Sequence, residues 1–299
     1  MRTLICISLF ILVLSACTSS NAGESAVNAE QVQKDSCLHQ SYGKYLWIQA
    51  YDSSQSICER ITPPQGFQRV EAAQGSFADW LRHLPLKPEG SKVHLYNGQL
   101  KGRQDVHYAV IDIDPGKKDL QQCADAVMRL RGEYLFAKND LAALHFNYTS
   151  GHEVGFKKWG EGYRPQVRGN NVSFTKTASP DGSWSSFRKY MDAVFTYAGT
   201  LSLSKEMKKV SDVKSIQAGD VFILGGSPGH AMIVIDVAEK PGTGQKVFML
   251  AQSYMPAQEM HIVKDPADEN EGPWYSTDFG NDLHTPEWDF TKDQLKRFE

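Results

Sequence analysis

The sequence predicts an α+β domain, and two observations carry that prediction. Leu120, Cys123, Val127, Leu130 and Tyr134 recur at three- and four-residue steps, the period of an amphipathic helix. Three apolar runs, Gln217 to Leu224, His230 to Asp236 and Lys246 to Tyr254, are separated by Gly225-Gly226-Ser227-Pro228-Gly229 and Pro241-Gly242-Thr243-Gly244, turn chemistry that suits consecutive strands.

The other elements fit around these. Phe77 to Leu84 reads as a short helix stopped by Pro85 and Pro88. Val106 to Ile113 reads as a strand ended by Asp114-Pro115-Gly116. The main helix runs from about Leu120 to Lys138, with Asp119 as N-cap and Gln122, three residues on, completing a capping-box-like pair. Trp159 to Pro165 is turn-rich. Ser185 to Lys209 reads as helix despite Gly199, with Tyr190, Val194, Tyr197 and Leu201 at core spacing. Asp265 to Glu271 reads as a solvated loop. If the last two apolar runs form a hairpin centred near Pro241, His230 and Gln252 stand approximately opposite each other.

The N-terminal end carries an address. Arg2 precedes an apolar stretch from Leu4 to Leu14, too short to span a bilayer comfortably, and Leu14-Ser15-Ala16-Cys17 ends it. Small residues before a cysteine resemble the lipobox of bacterial lipoproteins. That resemblance implies residues 1–16 as a cleaved signal peptide, lipidation of Cys17 and a membrane tether; Thr18 after it favours the outer membrane. Residues 17–34 are polar, lack aromatics and read as a flexible tether. Residues 35–299 are long enough for one large domain, with 41% hydrophobic residues over the chain to supply a core. The net charge is −3 in 299 residues, and Lys and Arg are scattered without a basic stripe, so nucleic acid is not an expected partner.

Of five cysteines, Cys6 leaves with the signal peptide and Cys17 carries lipid, leaving Cys37, Cys58 and Cys123 in an oxidising compartment. Cys37 and Cys58 lie close enough in sequence to be a disulfide candidate; if they pair, Cys123 is the free thiol. A helix N-terminus and a nearby imidazole both favour its thiolate. His230 after the glycine turn is the matching base, and Gln252 can orient it through its side-chain carbonyl. Each residue has a plain structural alternative: a buried core thiol, a strand-capping histidine and a glutamine that satisfies backbone groups. His107, His145, His152 and His261 read as ordinary polar residues. Paired-cysteine zinc spacing and a His-Glu-x-x-His helix are both absent from the sequence, and the Gly225-Gly226 turn is too short for a nucleotide loop, so neither metal nor cofactor is expected.

The Gly219-Asp220-Val221-Phe222 strand, the glycine turn and a histidine opening an aliphatic strand resemble the histidine half of NlpC-type and amidase-type papain-like cysteine hydrolases. In that superfamily a helix-borne cysteine comes first, a histidine follows on a strand, and a polar residue on the next strand orients it. Cys123, His230 and Gln252 match that order. The resemblance implies a papain-like core with an antiparallel sheet, extended by N-terminal and inserted elements. Three departures stand out: the cysteine lacks Asp-Cys-Ser-Gly surroundings, its interval to the histidine is long, and Gln replaces the commoner His or Asn.

A second resemblance covers most of the mature chain. Leu84-Pro85-Leu86-Lys87, Asp119 to Asp125, Gly229-His230-Ala231 and Leu250 to Gln258 resemble a bacterial lipoprotein family catalogued as domain of unknown function 4846.

The expected chemistry is therefore attack of Cys123 on an amide carbonyl, with His230 as base and Gln252 fixing its tautomer. The Cys123 backbone N–H and one of Gln122, Gln121 or Tyr108 would face the oxyanion. A cell-envelope amide is the expected substrate, with peptidoglycan stem peptides leading. The alternatives are a non-catalytic binding module with the same cleft and an acyl or amide transferase.

Overall fold

The computed structural model describes residues 45–270 and 272–299. Within the described residues come, in order, α1 (Ile57–Arg60), β1 (Gln68–Arg69), α2 (Phe77–Arg82), β2 (His107–Val110) and α3 (Cys123–Ala137). Two hairpins, β3 (His145–Asn147) with β4 (Glu153–Gly155) and β5 (Tyr163–Arg168) with β6 (Asn171–Lys176), flank α4 (Phe156–Gly160). After α5 (Trp184–Tyr197) and α6 (Thr200–Glu206) come β7 (Lys208–Lys209), β8 (Val221–Leu224), β9 (His230–Glu239), β10 (Lys246–Gln252), β11 (His261–Val263) and β12 (Trp274–Ser276). The chain closes with β13 (Asp282–His284), β14 (Asp289–Thr291) and β15 (Leu295–Arg297).

Among the described residues, nine strands form one antiparallel sheet, in the order β2-β11-β10-β9-β8-β15-β7, with β1 on β9 and β12 on β10. The architecture is α+β with antiparallel pairing. The β9–β10 hairpin is its axis, and a register shift between Met249 and Leu250 bends it near the end that carries the candidate site. Along β9, Ala231, Ile233 and Ile235 join the larger core cluster, which also holds Val127 and Leu130 of α3. Met232, Val234 and Val237 join a second cluster with Leu283 of β13 and Phe290 of β14. Burial on both faces explains why β9 is an almost unbroken apolar run rather than an alternating one.

One acid interrupts that run. Asp236, fully buried, accepts from Arg69 of β1 at 2.7 Å and from Arg82 of α2 at 2.8 Å. The pairing fastens α2 to the sheet while leaving no bare buried charge. Gly132 brings α3 and α5 together sterically: a Cβ there would lie 3.1 Å from Met191 Sδ.

Several sequence expectations shift. The main helix starts at Cys123 rather than Leu120 because Gln122 is extended and serves as N-cap; its backbone N–H donates to Asp125, not to the expected cap Asp119. The stretch expected as one helix from Ser185 to Lys209 is two, since Ala198 and Gly199 are extended. Tyr190 and Val194 are buried, whereas Tyr197 and Leu201 are exposed, so only half of the core-spaced series packs inside. The first strand is shorter than expected and ends at Val110. The turn-rich Trp159 to Pro165 segment opens the β5–β6 hairpin. Cys17, Cys37 and the segment 1–34 lie outside the described residues; Cys58 is buried and disulfide-bonded.

Candidate active site

Cys123 is the first residue of α3, and His230 the first of β9. Both line one cleft of about 310 Å³, together with Asp119, Thr200, Tyr254 and Trp288. Two local features place them. The cysteine stands where the first helical N–H groups have no intrahelical acceptor. The histidine emerges from a turn in which Gly229 passes so close to α6 that a Cβ would lie 2.6 Å from Thr200 Oγ1 and 2.5 Å from Gly226 O.

The β9–β10 register pairs Ala251 with Ile233, which carries Gln252 to the level of Met232. His230 and Gln252 are therefore diagonal neighbours on one face, in line with the approximately opposite placement that the hairpin centre suggested. Gln252 Oε1 lies 2.8 Å from His230 Nε2. Its Nε2 donates to Glu287 Oε2 at 2.8 Å and faces His261 Nε2 at 3.2 Å, and Glu287 Oε1 accepts from Lys101 at 2.6 Å.

These contacts fix every proton in the chain. Glu287, held in an ion pair with Lys101, accepts only, so the amide NH₂ of Gln252 must face it and the amide oxygen must face His230. His261 Nδ1 lies 2.9 Å from the Glu259 carbonyl and donates there, which leaves its Nε2 as an acceptor for Gln252. His230 Nε2 consequently carries the hydrogen, and Nδ1 keeps the lone pair that a base requires. Aromatic rings hold the imidazole in place, with Tyr254, Trp288 and Phe290 centred 4.8, 5.3 and 6.0 Å from it.

Burial pulls His230 down to about 4 and His261 to about 3, so both are neutral near pH 7, in keeping with the acceptor role of each. Burial also pushes the Cys123 thiol up to about 11, and Asp125 adds to the rise. The backbone N–H groups of Ala124, Ala231 and Cys123 pull the other way and are outweighed. Both shifts oppose the expected thiolate–imidazolium pair and favour a neutral thiol beside a neutral imidazole. Desolvation penalises both ions more than the helix terminus favours one of them.

Of the three oxyanion candidates, Gln122 lines the cleft, its Nε2 bonded to Asp119 Oδ1 at 3.1 Å. Gln121 is buried elsewhere, with Oε1 accepting from Arg129 at 2.9 Å. Tyr108 is exposed on β2, in a separate depression with Lys87 and Lys92. Sequence reasoning missed Glu287, Lys101, Trp288 and the part played by His261. It also passed over Asp125, buried in the cleft wall, whose Oδ1 has no partner among the described residues and whose pKa burial raises to about 8.

The chain belongs to the family described as domain of unknown function (4846), whose model matches residues 57–297. Neither the curated proteins nor the solved structures yield a match to it.

Proposed function

We propose that the protein is a papain-like cysteine amidase or peptidase of the bacterial cell envelope, lipid-anchored through Cys17 at the outer membrane. The observation that carries this reading is the hydrogen-bond chain from Lys101 through Glu287 and Gln252, which leaves His230 Nδ1 unprotonated in the cleft that Cys123 lines. A merely structural histidine has no need of so strictly specified a tautomer.

In the reaction, Cys123 Sγ bonds to the amide carbonyl carbon as its proton passes to His230 Nδ1. The oxyanion meets the Cys123 backbone N–H, with the Gln122 side chain as second donor. The C–N bond then breaks, and the leaving amine takes the proton from His230. Water, deprotonated by the same imidazole, hydrolyses the thioester and frees the thiol. Because the resting pair is neutral, proton transfer accompanies attack rather than preceding it.

Peptidoglycan stem peptides are the leading substrate class, supported by the lipobox-like leader and the order of Cys123, His230 and Gln252. The test is mass analysis of peptidoglycan fragments incubated with the protein and with Cys123→Ala. New amine and carboxyl termini from the wild type alone support the hydrolase; identical digests sink it. Loss of fatty-acid labelling in Cys17→Ser tests the anchor.

The thiol pKa of about 11 favours a second reading, a non-catalytic binding module using the same cleft. Such a module binds envelope fragments equally well as wild type and as Cys123→Ala, and cleaves none.

A further inference from the structure

Beside the cleft lies a second depression of about 260 Å³, and Leu120 and Phe195 line both. Its wall is cationic: Lys117, Lys118, Arg188 and Lys189 surround it, with Asp192 as the single lining carboxylate. Asp192 is taken by Lys118 at 2.8 Å. Lys117 and Lys189 are exposed and form no ion pair among the described residues.

Arg188 is the unusual member. Its side chain is largely buried, and its one carboxylate contact among the described residues is Asp114 Oδ1 at 3.5 Å. Its Nη1 is shut off from solvent without a hydrogen-bond partner among those residues. Asp114 is shared with Arg129 at 3.4 Å. Arg129 itself is satisfied, through Glu133 at 2.7 Å and Gln121 at 2.9 Å. Glu133 is thus taken by Arg129, and the half-exposed Asp114 is divided between the two guanidinium groups, which leaves Arg188 with one long, shared contact. Burial, with Arg129 adding repulsion, pulls Arg188 down to about 10, against the opposing pull of Asp114, Glu133 and Asp192. An unsatisfied buried guanidinium is costly unless something fills the vacant acceptor position.

We propose that this depression is a carboxylate subsite of the Cys123 cleft, in which Arg188, with Lys117 and Lys189, holds a free carboxylate of a peptide whose amide lies at Cys123. The long Asp114 contact leaves the guanidinium room to turn Nη1 toward such a group and offer its planar fork. The volume fits one acidic residue or chain end. The inference rests on the amidase reading for what lies at Cys123, and it narrows that substrate to acidic peptides.

The test measures equilibrium binding of N-acetyl-alanyl-glutamate to the full chain carrying Cys123→Ala, against the same peptide with both carboxylates amidated. The acidic peptide should bind at least ~10-fold tighter, the scale of one charge-assisted pair. Arg188→Gln should abolish that preference, and Arg188→Lys should keep part of it. Should Arg188→Gln fail to fold, Lys117→Gln with Lys189→Gln, both at exposed positions, should lower the preference instead. Equal binding, no binding of the acidic peptide, or a preference indifferent to these substitutions overturns the subsite. Hydrolysis plays no part in this measurement, so an acid preference in a protein that cleaves nothing would retain the subsite and remove the amidase reading.

Discussion

Gln252 accepts from His230 at 2.8 Å and donates to Glu287 at the same distance, so one amide reads the charge of a carboxylate and transmits it as a tautomer. Gln252→Ala would remove the partner of His230 Nε2, of His261 Nε2 and of Glu287 Oε2, while Glu287 Oε1 keeps Lys101. That should cost roughly 2–4 kcal/mol of stability, measurable by urea unfolding. Glu287→Gln is the finer probe. Its amide can present oxygen or nitrogen to Gln252, so kcat should fall while KM holds. An unchanged kcat would mean that the chain does not position His230.

The neutral resting pair has a kinetic signature. With the thiol held near 11, iodoacetamide should modify Cys123 slowly at pH 7, and the rate should climb through pH 9 without a plateau. Replacing His230 by Ala should change that profile little, since burial favours the neutral form of both groups. A plateau below pH 8 that disappears in His230→Ala would instead reveal a thiolate–imidazolium pair.

Acid should loosen the fold through two histidines. His230 and His261 are held below their ordinary 6.5, so between pH 6.5 and about 3 the unfolded chain binds protons that the folded chain refuses. Their contribution is complete above pH 6.5 and is lost as pH falls through about 4 and then 3. Each should account for roughly 3–5 kcal/mol across that window. Urea titrations at stepped pH check this, and His261→Gln, which keeps an acceptor toward Gln252, should flatten the lower part of the curve.

How much of this site could be read from sequence depends on what places each residue. Cys123 and His230 stand at element ends, marked locally by helical spacing and by the glycine turn, and Gln252 follows from an approximate hairpin register. The sheet's inner strands were legible for the same reason, as apolar runs bounded by Gly and Pro. Glu287 and Lys101 meet across 186 residues, and nothing in either neighbourhood announces the pairing. His261 opens a three-residue strand too short for any period to show. Tyr108 sits on a strand next to the one that carries His261, yet it lines another depression; strand adjacency cannot tell the two faces apart without the register.

Gly229→Ala tests the turn that aims His230. Its added methyl would collide with Thr200 Oγ1 and with the carbonyls of Gly226 and Leu224, two of the three being backbone that cannot simply rotate away. The turn must shift, and His230 with it. Overpacking of this kind should cost roughly 1–3 kcal/mol by thermal or urea unfolding. Wild-type stability would mean that α6 is free to retreat from the turn.

Asp125 offers a substitution expected to strengthen the protein. Burial raises its carboxyl to about 8 from the ordinary 3.8, so the folded chain keeps a proton that the unfolded chain releases, and stability declines as pH rises from about 4 toward 8. Asn at this position can still accept from the Gln122 backbone N–H, but it has no charge to desolvate. Asp125→Asn should therefore match the wild type near pH 4 and exceed it at pH 8 by roughly 3–5 kcal/mol. It should also lower the Cys123 pKa, because the nearby carboxylate is one cause of the rise, and the alkylation profile should move to lower pH. A variant less stable than wild type at pH 8 would show that the Asp125 carboxylate has a partner worth more than its burial costs.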